Sequence, residues 1–375
     1  MKYTHYNYVV GFLLLSMSAH LAAEHYAVVA TMETGVNPAG IALTPNNHRA
    51  YVANNNNYGI ANEDSVTVLD LKHNKPKTTI HDPSFFGPYT VTIDHKGKKA
   101  YVTNSNGTTI SIIDIKSNTV IGTIDGFNGP SGMVIKPHGE DKNKIAYVNN
   151  YGAGDDSGLG NTISVVDLKT QTIIDTIIVD QAPAALTISH NGKYLYVVNY
   201  VDGNPGTGTM QVISTENNSV ISTTTGFSGP FDIAVKHDGK YAYVTNFGSN
   251  NFAPFGTTVS VVSLQPQPFI KKDIAVGIQP AGIAIKPDQH FAFVTNYNTL
   301  YAGVDFTNLT AGQGTVDIID LHSNKVVAPI IAVDQSPANI AVSSDGHRIY
   351  VTNYISNTVT VIQKIKDEHH QHHEG

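Results

Sequence analysis

Tyr101-Val-Thr-Asn104 recurs unchanged as Tyr243-Val-Thr-Asn246 and Tyr350-Val-Thr-Asn353. With one change each it recurs as Tyr51-Val-Ala-Asn54, Tyr147-Val-Asn-Asn150, Tyr196-Val-Val-Asn199 and Phe293-Val-Thr-Asn296. Successive copies start 50, 46, 49, 47, 50 and 57 residues apart. A proline precedes each: Pro38, Pro88, Pro130, Pro183, Pro230, Pro280 and Pro337. It stands 13 residues before the aromatic in six copies and 17 before it in the third, where His138 to Lys142 forms an insertion. A period of this length marks one supersecondary unit repeated along the chain.

Each copy contains four strand signals. In the sixth they are Gly282 to Lys286, Phe291 to Asn296, Thr315 to Leu321 and Val326 to Val333. Val, Ile, Thr and Tyr dominate, and no segment has helical periodicity. Asp238-Gly239, Asn191-Gly192 and Asp345-Gly346 are hairpin turns between the first two strands. Four short antiparallel strands per unit predict an all-β, seven-bladed β-propeller. The seventh copy stops after its third strand, Thr358 to Gln363, and a strand lacking a partner, Tyr26 to Met32, lies at the N-terminus. The two ends are therefore expected to share the last blade and close the ring.

These units resemble the YVTN repeats of exported bacterial and archaeal seven-bladed propellers, over nearly all of the chain after residue 23. The resemblance implies the fold and an exported protein, but no single activity, because one architecture hosts unrelated functions. It includes likeness in shape to lactonase-type propellers and to propeller subunits of some oxidoreductases, and one exported propeller similar to the family binds single-stranded DNA. Within the repeat, the aromatic and valine are expected to pack between blades, and the asparagine to bond a loop backbone. None of them is expected to be catalytic.

The chain has 375 residues, a formal net charge of -7, and neither cysteine nor tryptophan. Disulfides, thiolate metal sites and thiol nucleophiles are thereby excluded. Arginine occurs only at 49 and 348, which removes the usual carboxylate and phosphate clamps. At the N-terminus, Lys2 precedes an apolar run from Val9 to Met17 and the small residues Ala22 and Ala23. Residues 1–23 read as a secretory signal, too short in apolar length to span a bilayer. Residues 24–364 then form the propeller and 365–375 a His-rich disordered tail, in a protein expected to be periplasmic or secreted and not membrane-spanning.

In a propeller, the connections from strand two to three and from strand four to the next blade emerge on one face, here the upper. Every lysine after the signal, with Arg49 and Arg348, falls in lower-face turns, adjoining strand ends or the tail. The upper loops carry acids, among them Asp155, Asp156, Asp180, Asp202 and Asp334. An aromatic follows the repeat asparagine in five copies, as Tyr151, Tyr200, Phe247, Tyr297 and Tyr354. Long loops on one face of a rigid scaffold are where binding usually lives, so these aromatics, with Asp155, Asp180, Asp202 and Asp334, are the candidate ligand-binding residues. Gap-filling between blades is the alternative role for the rings. Each first hairpin also holds a histidine: His48, His95, His138, His190, His237, His290 and His347. Mild acid would charge exposed copies and make the lower face more basic.

No nucleophile elbow, phosphate loop, zinc-protease helix or dinucleotide fingerprint occurs. A divalent metal could sit among the upper acids, or on His369, His370, His372 and His373 of the tail. Lactonase-like or lyase-like propellers need His, carboxylate and Arg in one cleft, and here both arginines lie in lower hairpins. Single-stranded nucleic acid could stack on the upper aromatics, but the upper loops offer no cation to neutralise its phosphates. The expected function is therefore a non-enzymatic binding or scaffold protein. Its upper face would take a cationic or neutral small ligand or a basic protein segment, and its lower face would meet an anionic envelope surface.

Overall fold

The computed structural model describes residues 25–56, 63–137, 144–152, 160–249, 255–298 and 313–365. They form twenty-eight strands in seven four-stranded antiparallel sheets. Blade one runs Pro38–Leu43, Arg49–Asn54, Ser65–Asp70 and Lys75–Ile80, in that spatial order. In each blade the strand opened by the proline is innermost: Pro38–Leu43, Pro88–Ile93, Pro130–Ile135, Pro183–Ile188, Pro230–Val235, Pro280–Ile285 and Pro337–Val342. Each of these lies against its counterparts in both neighbouring blades, so the seven surround a central axis.

The last blade contains Pro337–Val342, Arg348–Asn353, Thr358–Ile365 and, outermost, the N-terminal strand His25–Glu33. His25 stands opposite Ile365 and Glu33 opposite Thr358, with a bulge between Val28 and Ala30. The expected closure is therefore present, made by backbone pairing between the two ends of the chain. The segment read as a signal and the His-rich tail beyond Ile365 lie outside the described residues. No helix among the described residues is long and apolar enough to cross a membrane.

The core is distributed rather than central. Seven hydrophobic clusters occupy the seven blade–blade interfaces. Tyr51, Ala53, Val66 and Val68 of blade one, for instance, pack on Val91, Ala100, Val102 and Ile113 of blade two. At the interface of blades six and seven, Phe293 and Val316 meet Ile340, Ile349 and Val351. The N-terminal strand adds Tyr26, whose ring meets Phe293 edge-on at 5.2 Å. The repeat aromatic and valine thus pack between blades as the sequence suggests: the aromatic faces the next blade and the valine the preceding one, so Tyr51 meets Val102 and Phe293 meets Val351. Burying each large side chain contributes about 1.5–3 kcal/mol.

The repeat asparagine departs from expectation. Its Nδ2 donates to two residues of strand three in every blade: Ser65 and Thr67 from Asn54, Thr109 and Ser111 from Asn104, Thr162 and Ser164 from Asn150. The same pair of bonds is made by Asn199, Asn246, Asn296 and Asn353. A loop backbone is its second partner in only three blades, where Oδ1 of Asn104, Asn150 and Asn246 accepts the N–H of Phe86, Asn128 and Ser228. In those three blades the residue just before the proline is glycine, Gly87, Gly129 or Gly229, with φ between 53° and 63°. The equivalent Asn37, Ala182, Gln279 and Ser336 hold the same left-handed conformation, at φ 52° to 56°. For an alanine this costs about 1–2 kcal/mol.

Candidate functional site

That left-handed residue builds the upper mouth of the central channel. In all seven blades its carbonyl accepts the N–H of the residue following the repeat asparagine: Asn55, Ser105, Tyr151, Tyr200, Phe247, Tyr297 and Tyr354, at 2.8 to 3.0 Å. Seven equivalent side chains are thereby set at one level around the axis.

The five aromatic members divide into two groups. Tyr200 and Phe247 are buried, and the Tyr200 hydroxyl donates to the carbonyl of Gly248 at 2.8 Å, filling the step to the next blade. Tyr151, Tyr297 and Tyr354 are half-buried. A continuous arc of rings runs from Phe231 through Phe247 and Tyr297 to Tyr354, with centroids 5.0, 5.9 and 6.4 Å apart. Tyr200 and Phe247 therefore act as packing and support rather than as free ligand contacts. The two readings of these aromatics, as packing and as binding surface, each apply to part of the set.

Two further residues belong here and were not singled out from the sequence. Tyr89 follows the proline of blade two, and burial, then the neighbouring Tyr151, Tyr354 and Asp232, push its hydroxyl well above the ordinary tyrosine range. Those neighbours stand on blades three, seven and five, so Tyr89 lies within electrostatic reach of groups on three other blades. Asp232 lies on the innermost strand of blade five. Its carboxylate accepts the N–H of Ile233 at 2.8 Å and of Ile283, on blade six, at 2.9 Å. Burial pushes its pKa up to about 6 despite those two bonds. Comparison of the repeats contains the signal: two residues after the proline, the other blades carry Gly40, Thr90, Gly132, Ala185, Gly282 and Asn339.

The candidate acids do not gather at the mouth. Asp180 accepts the Thr209 hydroxyl at 2.6 Å and Asp334 the Thr358 hydroxyl at 2.7 Å, each tying an inter-blade loop to strand three. Asp202 is exposed and closes its own turn on Asn204 and Thr207, which hold its carboxyl below the usual range. Asp334 does line an open depression with Gln313, Gln335 and Ser356. Asp155 and Asp156 lie outside the described residues, as do His369, His370, His372 and His373. Among the described residues no three His, Asp or Glu side chains come together as a metal site.

The cations are sorted by face as the loop classes require. Lys96, Lys193 and Lys286 stand at lower turns or strand ends, away from the loop carrying Asp180. The guanidinium of Arg49 donates to the Ile115 carbonyl at 2.9 Å and that of Arg348 to the Leu71 carbonyl at 2.8 Å, both across lower blade boundaries. No described Lys or Arg stands in an upper loop. The lower face is less one-sided than its lysines imply, because Asp70, Asp114, Asp167 and Asp320 sit in its turns and accept backbone N–H groups there. On that face the His190 and His237 rings stack at 4.7 Å across the boundary of blades four and five.

No family model matches the chain. A stretch of 60 residues is 45% identical to the PE-PGRS family protein PE_PGRS18 of Mycobacterium tuberculosis, over 16% of this chain and 13% of that protein. A stretch of 167 residues is 26% identical to the uncharacterized protein YncE of Salmonella typhi, over 44% of this chain and 42% of that one. The chain thus matches less than half the length of these relatives. Among solved structures, hydrazine synthase of Kuenenia stuttgartiensis superposes with a TM-score of 0.72 at 21% identity, over 89% of this chain and 97% of that one. At such identity the likeness concerns architecture only: the chain is a seven-bladed β-propeller.

Proposed function

We propose that the chain is an exported, non-enzymatic binding or scaffold propeller whose upper channel mouth seats a cationic or neutral small ligand or a basic protein segment. One observation carries this reading: half-buried Tyr297 and Tyr354 end an arc of rings that begins at Phe231, next to Asp232, on a face where the described residues place no Lys or Arg. Rigid concave mouths with a few polar groups among apolar ones are where ligands bind. The lower face, with its excess of lysines and its hairpin histidines, would rest against an anionic envelope surface.

The test is a binding panel read by thermal shift and calorimetry, containing organic amines, neutral sugars, a basic peptide, single-stranded DNA and lactones. The reading expects saturable binding of a cationic or neutral compound that weakens in Tyr354→Ala. Binding confined to DNA, or lactone hydrolysis, would contradict it. Anionic vesicles should bind more strongly near pH 6 than near pH 8, and less strongly in salt.

A further inference from the structure

We propose that the upper mouth recognises an alkylated ammonium group, seated against the rings of Tyr297, Tyr354 and Tyr89 and neutralised by the carboxylate of Asp232. The inference rests on the binding reading above and narrows it to one chemistry.

Three features of the mouth select that chemistry. The first is the arc from Phe231 to Tyr354, whose members Phe231, Tyr297 and Tyr354 are only half-buried and so keep part of their ring surface accessible. Aromatic faces attract cations through the negative potential above the ring, most strongly when water is excluded.

The second is Asp232. Both of its oxygens already accept backbone N–H groups, at 2.8 and 2.9 Å, so the carboxylate is fixed on the channel wall. What it offers a ligand is a fixed negative charge, with part of its acceptor capacity already taken by those two N–H groups. A primary ammonium brings three N–H donors that each need an acceptor, whereas a fully alkylated nitrogen brings charge and methyl groups alone. The mouth supplies what the alkylated group needs.

The third is competition. A lysine or arginine near the mouth would occupy the rings itself. No described Lys or Arg stands in an upper loop; Lys286, at the lower end of its strand, pairs with Asp288 at 2.9 Å, and both arginines donate to lower-face carbonyls. His81 is the sole described histidine on the upper side, at the end of the outer strand of blade one.

Calorimetry on the full chain near pH 8 tests this with choline and with its neutral isostere, in which carbon replaces the quaternary nitrogen. Choline should bind, and the isostere should bind at least about tenfold more weakly. Tyr354→Leu and Asp232→Asn should each raise the Kd for choline at least about fivefold. Because Asp232 also joins two blades, an unfolding curve is recorded for each variant, and Tyr354→Leu stands as the independent arm. Equal binding of choline and isostere, or no binding of choline to folded protein, overturns the proposal. If choline fails while a neutral sugar binds in a manner lost with Tyr354→Leu, the ammonium assignment falls and the binding reading stands. If no compound responds to Tyr354→Leu, both fall.

Discussion

The carboxylate of Asp232 on blade five accepts the backbone N–H of Ile283 on blade six at 2.9 Å. A titratable group thereby becomes part of the joint between two inner strands. Its folded pKa, about 6, lies above its ordinary value of 3.8. The stabilisation tied to this shift is fully present below about pH 4 and is lost as pH rises through about 6. Asp288, Asp320 and Asp345 are held below their ordinary range and act in the opposite sense. The informative comparison is therefore wild type against Asp232→Asn at each pH. Relative to wild type, the variant should gain about 2 kcal/mol between roughly pH 4 and pH 8, measured by urea unfolding. An unchanged difference would place the Asp232 pKa near its ordinary value.

Inter-blade tyrosines should each be worth one hydrogen bond more than phenylalanine. The Tyr51 hydroxyl donates to Asn118 Oδ1 at 2.6 Å and the Tyr243 hydroxyl to Asn324 Oδ1 at 2.9 Å, in both cases reaching a turn of the following blade. Phe293 fills the same position in blade six with no hydroxyl, so the ring alone satisfies the packing. Tyr51→Phe and Tyr243→Phe should each cost about 1 kcal/mol in chemical denaturation. Tyr51→Ala should cost about 3–5 kcal/mol.

Gly40 tests the inner ring directly. A Cβ there would lie 2.5 Å from the Tyr89 carbonyl oxygen on the next blade, a backbone atom that cannot move alone. Gly40→Ala should therefore destabilise by about 1–3 kcal/mol and disturb Tyr89 at the mouth. At Gly239, with φ 64° and open space around the added carbon, Ala should cost about 1 kcal/mol through backbone strain alone. A melting temperature for Gly40→Ala equal to that of wild type would contradict the close inner ring.

The stacked histidines make a prediction about acid. Partial burial, and secondarily the neighbouring His190, hold the His237 pKa below 6.5. An NMR titration should show His237 charging at lower pH than an exposed imidazole. In His190→Ala its pKa should rise, yet stay below 6.5, because burial is the larger cause. A full return to the free value would assign the effect to His190 alone.

The architecture was legible because a propeller repeats its constraints. Each blade needs an aromatic for the next interface, a valine for the preceding one and an asparagine at the end of strand two. The spacing of Tyr101, Tyr243 and Tyr350 therefore gives blade number and closure without coordinates. The site was legible only in part. Tyr297 and Tyr354 stand out because they follow the asparagine, but Tyr200 looks identical in sequence and turns inward onto Gly248. Asp180 and Asp334 read as rim acids, yet they are taken up by threonine hydroxyls 29 and 24 residues away. Asp232 and Tyr89 were hidden in inner strands whose composition reads as core. Only the closing of the ring brings Tyr89 of blade two within reach of groups on blades three, five and seven.

The most direct measurement is an experimental structure of the protein purified from its native host with no ligand added. Density is expected on the axis at the upper mouth, in van der Waals contact with Tyr89, Tyr297 and Tyr354. Rings closed on one another with no space between them, or a ligand bound only on the lysine-bearing face, would contradict it.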